Sequence, residues 1–143
     1  MALTQPALCR SIDSTGSHYE APDTEWPILV VEDEFLVRMM IADVLDDAGF
    51  KVIEATNADE ALRVLRAVGN IRAVITDVEM PNGSMNGFEL ANRIREEWKI
   101  GVLIASGRAA PKPGELPEGS HFIAKPLYPA TLLSLLQMLI QPT

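Results

Sequence analysis

The chain has 143 residues, 48% of them hydrophobic and 22% charged, with a net charge of −8 and a single cysteine. That length suits one domain plus a tail, and the composition is that of a globular protein able to bury one core. The acidic balance leaves no cationic excess to release counterions from nucleic acid; Cys9 permits no internal disulfide, and no segment reaches the ~20 apolar residues of a membrane span.

Residues 1–26 mix polar and structure-breaking residues without a hydrophobic period, and they lack the basic and apolar regions of a secretory leader. They are expected to form a poorly ordered arm on a cytoplasmic protein, with the folded domain over 27–143. Ile28, Leu29, Val30 and Val31 form a continuous apolar run, the pattern of a strand covered on both faces. Helical spacing follows over 35–48, predicting Leu36, Met39, Met40, Val44 and Leu45 inward and Gly49 as the stop. A second strand is expected over 51–55. Asn57 with Glu60 three residues on resembles a capping box for a helix carrying Ala61, Leu62, Leu65 and Val68, closed by Gly69.

The third strand is expected over 73–76, and a loop with Pro81 and Gly83 leads to a helix over 87–98. Leu90, Ile94 and Trp98, four apart, give that helix one buried face. The fourth strand covers 102–105, the fifth 122–124, and the last helix 129–140 with Pro129 in its first turn. Pro111, Pro113 and Pro117 fall between the last two strands. Each would cost about 3 kcal/mol in a helix interior, so any helix there is expected to be short, displaced or absent.

Strands alternating with helices imply a doubly wound α/β fold, with right-handed crossovers and helices on both faces of a parallel sheet. Ligands in such sheets sit beyond the carboxyl ends of strands. Four apolar runs end in polar groups: Glu32 with Asp33, then Asp77, then Ser106 with Gly107, then Lys125 with Pro126. Taken singly these are a solvated acidic turn, a capping aspartate, a polar strand end and a surface lysine. Brought together, they would bind a hard cation and a phosphoryl group.

With these motifs in this order, the stretch from Pro27 to Ile140 resembles a response-regulator receiver domain of two-component signalling. VVEDEFLVR and ELPEGSHFIAKP are most similar to stand-alone alphaproteobacterial receivers. The resemblance implies a (βα)5 flavodoxin-like fold, a parallel five-stranded sheet of order 2-1-3-4-5, and Mg2+ as cofactor. It makes Glu32, Asp33, Asp77 and the main-chain carbonyl of Glu79 the metal site, with Asp33 the closer ligand and Glu32 acting through water. It makes Asp77 the phosphoacceptor; a carboxylate is ionised at neutral pH and needs no base. Ser106 would donate its hydroxyl to a phosphoryl oxygen, beside Gly107, which leaves room. Lys125 would pair with Asp77 and then with the phosphoryl group, ahead of a cis bond to Pro126. Phe122 takes the switch-aromatic place, where a plain core phenylalanine is the competing role. The sequence departs from the family at the loop after Asp77: Pro81 fits, but Asn86-Gly87 comes two residues late, as though Gly83-Ser84 were inserted.

The expected function is that of a stand-alone receiver, a phosphoacceptor that assists only its own phosphotransfer and dephosphorylation. Its partner would be a sensor histidine kinase or histidine phosphotransfer protein. The chain ends soon after Ile140, so output is expected through another protein, dimerisation or a phosphate-sink role. Leu132, Leu133, Leu135, Leu136, Met138, Leu139 and Ile140 exceed the needs of one buried face and suggest a homodimer through the last helix, with burial inside the monomer as the alternative. Two other functions fit the pattern less fully. One is an interaction module that keeps the fold without phosphorylation. The other is a metal-dependent hydrolase with Glu79 as general acid, for which no cap domain is present.

Overall fold

A computed structural model describes residues 27–107 and 110–140; the arm expected over residues 1–26 lies outside the described residues. The elements in chain order are β1 (Pro27–Val31), α1 (Phe35–Asp47), β2 (Lys51–Ala55), α2 (Ala58–Ala67), β3 (Ala73–Asp77), α3 (Gly87–Glu97), β4 (Gly101–Ser106), β5 (Ser120–Ala124) and α4 (Pro129–Ile140). The strands pair in parallel in the order β2-β1-β3-β4-β5. The three inner strands are the continuous apolar runs, because both their faces are covered.

Alternation along each strand divides the core in two. Leu29, Val31, Val74, Val102 and Ile104 pack with Leu62, Leu65, Leu90 and Ile94 of α2 and α3. Ile28, Val30, Ile75 and Leu103 pack on the opposite face with Ile41 and Leu45 of α1 and Leu132, Leu136 and Ile140 of α4. Each such side chain contributes roughly 1.5–3 kcal/mol on full burial.

No helix lies between β4 and β5 among the described residues, as the prolines predict. The segment is instead held by turns, Glu115 N–H to the Lys112 carbonyl (2.9 Å) and Ser120 N–H to the Pro117 carbonyl (3.1 Å). Arg95 Nε of α3 donates to the Glu118 carbonyl at 2.8 Å. Leu116 covers part of the α2–α3 core in place of a helix face.

Several local expectations change. On α1, Ile41 and Leu45 are buried and Val37 and Val44 pack beside them, whereas Leu36, Met39 and Met40 point outward with Phe35. The 35–45 stretch is apolar nearly all round, so several helical registers satisfied the pattern, and packing against the sheet selected one. Gly49 does end that helix region, at φ 96°, with its N–H on the Asp46 carbonyl. Asn57 caps α2 by accepting from Glu60 N–H at 2.9 Å, but the Glu60 carboxylate takes Thr56 N–H instead of closing a box. The full capping box belongs to Asn86 and Glu89 on α3. After α2 the left-handed residue is Asn70 (φ 58°), not Gly69. On α4, Leu133, Leu135 and Leu139 pack on the core beside the buried leucines and Met138 is exposed, so most of the apolar excess is taken up inside the monomer.

Candidate functional site

Each polar group sits where its strand stops. Glu32 and Asp33 follow β1, Asp77 closes β3, Ser106 closes β4 and Lys125 follows β5. The backbone ladder continues past the strands and fixes these ends. Glu32 N–H donates to the Ala55 carbonyl (3.0 Å), Val78 N–H to Ala105 (3.2 Å) and Lys125 N–H to Ser106 (2.9 Å).

One carboxylate oxygen from each of Glu32, Asp33 and Asp77 lies within 4.8 Å of the others. Lys125 Nζ stands 3.0 Å from Glu32 Oε1 and 3.3 Å from Asp77 Oδ1. The lysine therefore bridges two acids rather than serving Asp77 alone. Glu32 is only 2% exposed, and its Oε2 accepts from Glu34 N–H at 3.2 Å. Asp77 Oδ1 also accepts Val78 N–H at 2.9 Å.

Burial pushes the Glu32 carboxyl above its usual 4.5, with Asp77 adding repulsion, against the hydrogen bonds from Lys125 and Glu34. Burial alone would lower Lys125, but the Glu32 hydrogen bond and the charges of Asp77 and Glu32 outweigh it and raise the ammonium above 10.5. The pocket thus holds an excess of negative charge that one ammonium does not neutralise. An all-oxygen donor set of this kind suits a hard divalent cation such as Mg2+.

Ser106 is buried at the end of β4. Phe122 on β5 pairs in register with Ile104 and packs, half-buried, on the α2–α3 core. It lies across the sheet from α4. The Lys125–Pro126 bond is cis.

The loop after Asp77 returns to the strand end at Gly87. Gly87 N–H donates to the Val78 carbonyl at 2.8 Å, and a Cβ on Gly87 would lie 2.1 Å from the Asp77 carbonyl oxygen. Gly83 and Ser84 bulge toward α2, where Ser84 Oγ bonds Asp59 Oδ1 at 2.6 Å and Gly83 lies against Asn57. Sequence reasoning missed both this latch and Arg38, a largely buried guanidinium beside the acidic pair. The only signal for Arg38 was a lone cation within an apolar helix.

Residues 28–137 match the family described as response regulator receiver domain. The chain is similar to the aerobic respiration control protein ArcA of Escherichia coli (strain K12), 33% identical over 81 residues, which cover 57% of this chain and 33% of ArcA. The match thus spans about a third of that relative's length. The two-component response regulator ORR3 of Oryza sativa subsp. indica is 30% identical over 125 residues, 83% of this chain and 94% of that protein. Among solved structures, the chemotaxis protein CheY4 of Vibrio cholerae superposes with a TM-score of 0.71 at 30% identity, covering 80% of this chain and 98% of that one.

Proposed function

The chain belongs to the response regulator receiver domain family, and from that premise we propose that it accepts a phosphoryl group on Asp77 from a phosphohistidine protein, in the cytoplasm. The observation that carries this reading is the convergence of three carboxylates and one ammonium at the strand ends of one sheet. In this reading Asp33, Asp77 and the main-chain carbonyl of Glu79 hold Mg2+, and Glu32 acts through water. The bound cation supplies positive charge that lets an anionic phosphoryl group approach anionic ligands.

An Asp77 carboxylate oxygen attacks phosphorus. The O–P bond forms as the N–P bond of phosphohistidine breaks, and the imidazole departs with the electron pair. Lys125, a mobile point charge already on Asp77, follows the charge onto a phosphoryl oxygen. Ser106 donates its hydroxyl to another. Phe122 shifts with Ser106 and changes the surface at β5, biasing a two-state equilibrium that a protein partner reads.

Incubation with acetyl phosphate and Mg2+, read by intact mass, tests the proposal. One phosphoryl group should be added to the wild-type chain and none to Asp77→Asn. Labelling that survives that substitution would sink the reading.

The donor must seat next to the acidic pocket, and the first turns of α1 present Phe35, Leu36, Met39 and Met40 to solvent there, Leu36 at 70% exposure. Leu36→Asp should slow transfer from a phosphohistidine donor about tenfold, the loss of about 1.4 kcal/mol of apolar contact, and leave labelling by acetyl phosphate unchanged. Equal slowing with both donors would remove α1 from the docking surface. A second reading, an interaction module that works without phosphorylation, is favoured only by the absence of a helix between β4 and β5 among the described residues.

A further inference from the structure

We propose that Arg38 is a positioning residue that sets the orientation of the Glu32–Asp33 peptide and thereby tunes cation affinity. This rests on the reading of the acidic cluster as a cation site but concerns a residue outside the cluster. The Arg38 side chain is only 13% exposed. Its NH1 donates to the main-chain carbonyl of Glu32 at 2.7 Å, and its Nε bonds Glu54 Oε1 at 2.9 Å. The guanidinium lies 5.6 Å from the Phe35 ring centroid. It is thus held by β2, by its own helix and by the loop it serves.

The Glu32 main chain is gripped from both sides. Its N–H is tied to Ala55 at the end of β2, and its carbonyl is tied to Arg38, one turn into α1. That carbonyl belongs to the peptide plane leading into Asp33, so its direction sets where the Asp33 carboxylate points relative to Asp77. Glu32 is buried, and a carbonyl stripped of its donor there would have to turn in search of another. A planar fork that bonds Glu32 and Glu54 at once fixes the angle as well as the distance, which a lysine ammonium does not. Groups of this kind, which orient ligands without touching the ion, typically change metal affinity 10–100-fold.

The test is Mg2+ binding by calorimetry, with acetyl-phosphate labelling followed in parallel at low and at saturating Mg2+. Arg38→Ala should weaken Mg2+ binding by about tenfold, the lower end of that range. Its labelling should be slow at low Mg2+ and recover at saturating Mg2+, with Arg38→Lys between it and wild type. Glu54→Ala, which leaves Arg38 in place but frees its Nε, should weaken binding in the same direction by a smaller factor. It keeps the test decisive if Arg38→Ala does not fold. Wild-type Mg2+ affinity in a folded Arg38→Ala or in Glu54→Ala would overturn the proposal. Labelling that stays slow at saturating Mg2+ would overturn it too, since a positioning role acts through affinity. A wild-type chain that binds Mg2+ but takes no phosphoryl group would sink the phosphoacceptor reading alone, because the calorimetry still reads Arg38.

Discussion

Gly87→Ala is expected to destabilise the fold by about 3 kcal/mol, at or beyond the upper end of ordinary overpacking costs. The added Cβ would meet the Asp77 carbonyl oxygen at 2.1 Å and the Val78 Cα at 2.8 Å. Both are backbone atoms at the end of a central strand, so no flexible side chain can swing aside. Relief requires the first turn of α3 to move off the sheet, breaking the Gly87 N–H bond to Val78 and disturbing the capping box of Asn86 and Glu89. The same movement displaces Asp77, so labelling by acetyl phosphate should fall along with stability. Urea unfolding measures the first effect. Gly69→Ala is the control: nothing lies within 4 Å of its Cβ position, and it should be neutral or slightly stabilising. Equal unfolding midpoints for the two variants would contradict this account of the loop.

Lys125→Met should cost about 3 kcal/mol at neutral pH, the low end for breaking a buried pair, because the lysine is 21% exposed while Glu32 is almost fully buried. The loss should depend on pH in a defined way. Glu32 has a folded pKa above 4.5, so the folded state holds its proton more tightly than the unfolded state. Ionising it therefore costs stability as pH rises from 4.5 through the folded value. Removing Lys125 takes away a group that lowers that pKa, so the cost grows and extends to higher pH. Below 4.5 the carboxyl is neutral and the difference between variant and wild type should shrink. At the alkaline end, Lys125 is held above 10.5; its contribution is fully present below 10.5 and disappears as pH climbs through the folded value. The difference in unfolding free energy should thus be greatest at neutral pH and smaller in acid and in strong base. A flat difference across that range would show that the ion pair is not its source.

Much of the architecture was legible from local pattern. Continuous apolar runs marked the inner strands, Gly49 marked the end of the first helix, and three prolines ruled out a regular helix before β5. The site was legible for a related reason. Its residues lie immediately after those runs, and a parallel sheet carries all such positions to one edge. Where the pattern failed, it failed through degeneracy. Residues 35–45 are apolar on nearly every side, and an amphipathic period cannot select a face when no face is polar. On the last helix the apolar excess has a second use, since Leu133, Leu135 and Leu139 pack on the core beside the buried leucines while Met138 stays exposed.

The chain's own order of residues determined the strands, their sequence of polar ends, and therefore the chemistry that could meet there, since hydrophobic period and turn chemistry act over a few residues. Contacts between residues on different elements were decided only by the tertiary structure. Lys125 meets both Glu32 and Asp77, Arg38 reaches back to the Glu32 carbonyl, Ser84 latches onto Asp59, and Gly87 rests on the end of β3. Each depends on distances set by packing two helical layers on one sheet, and no spacing along the sequence encodes them.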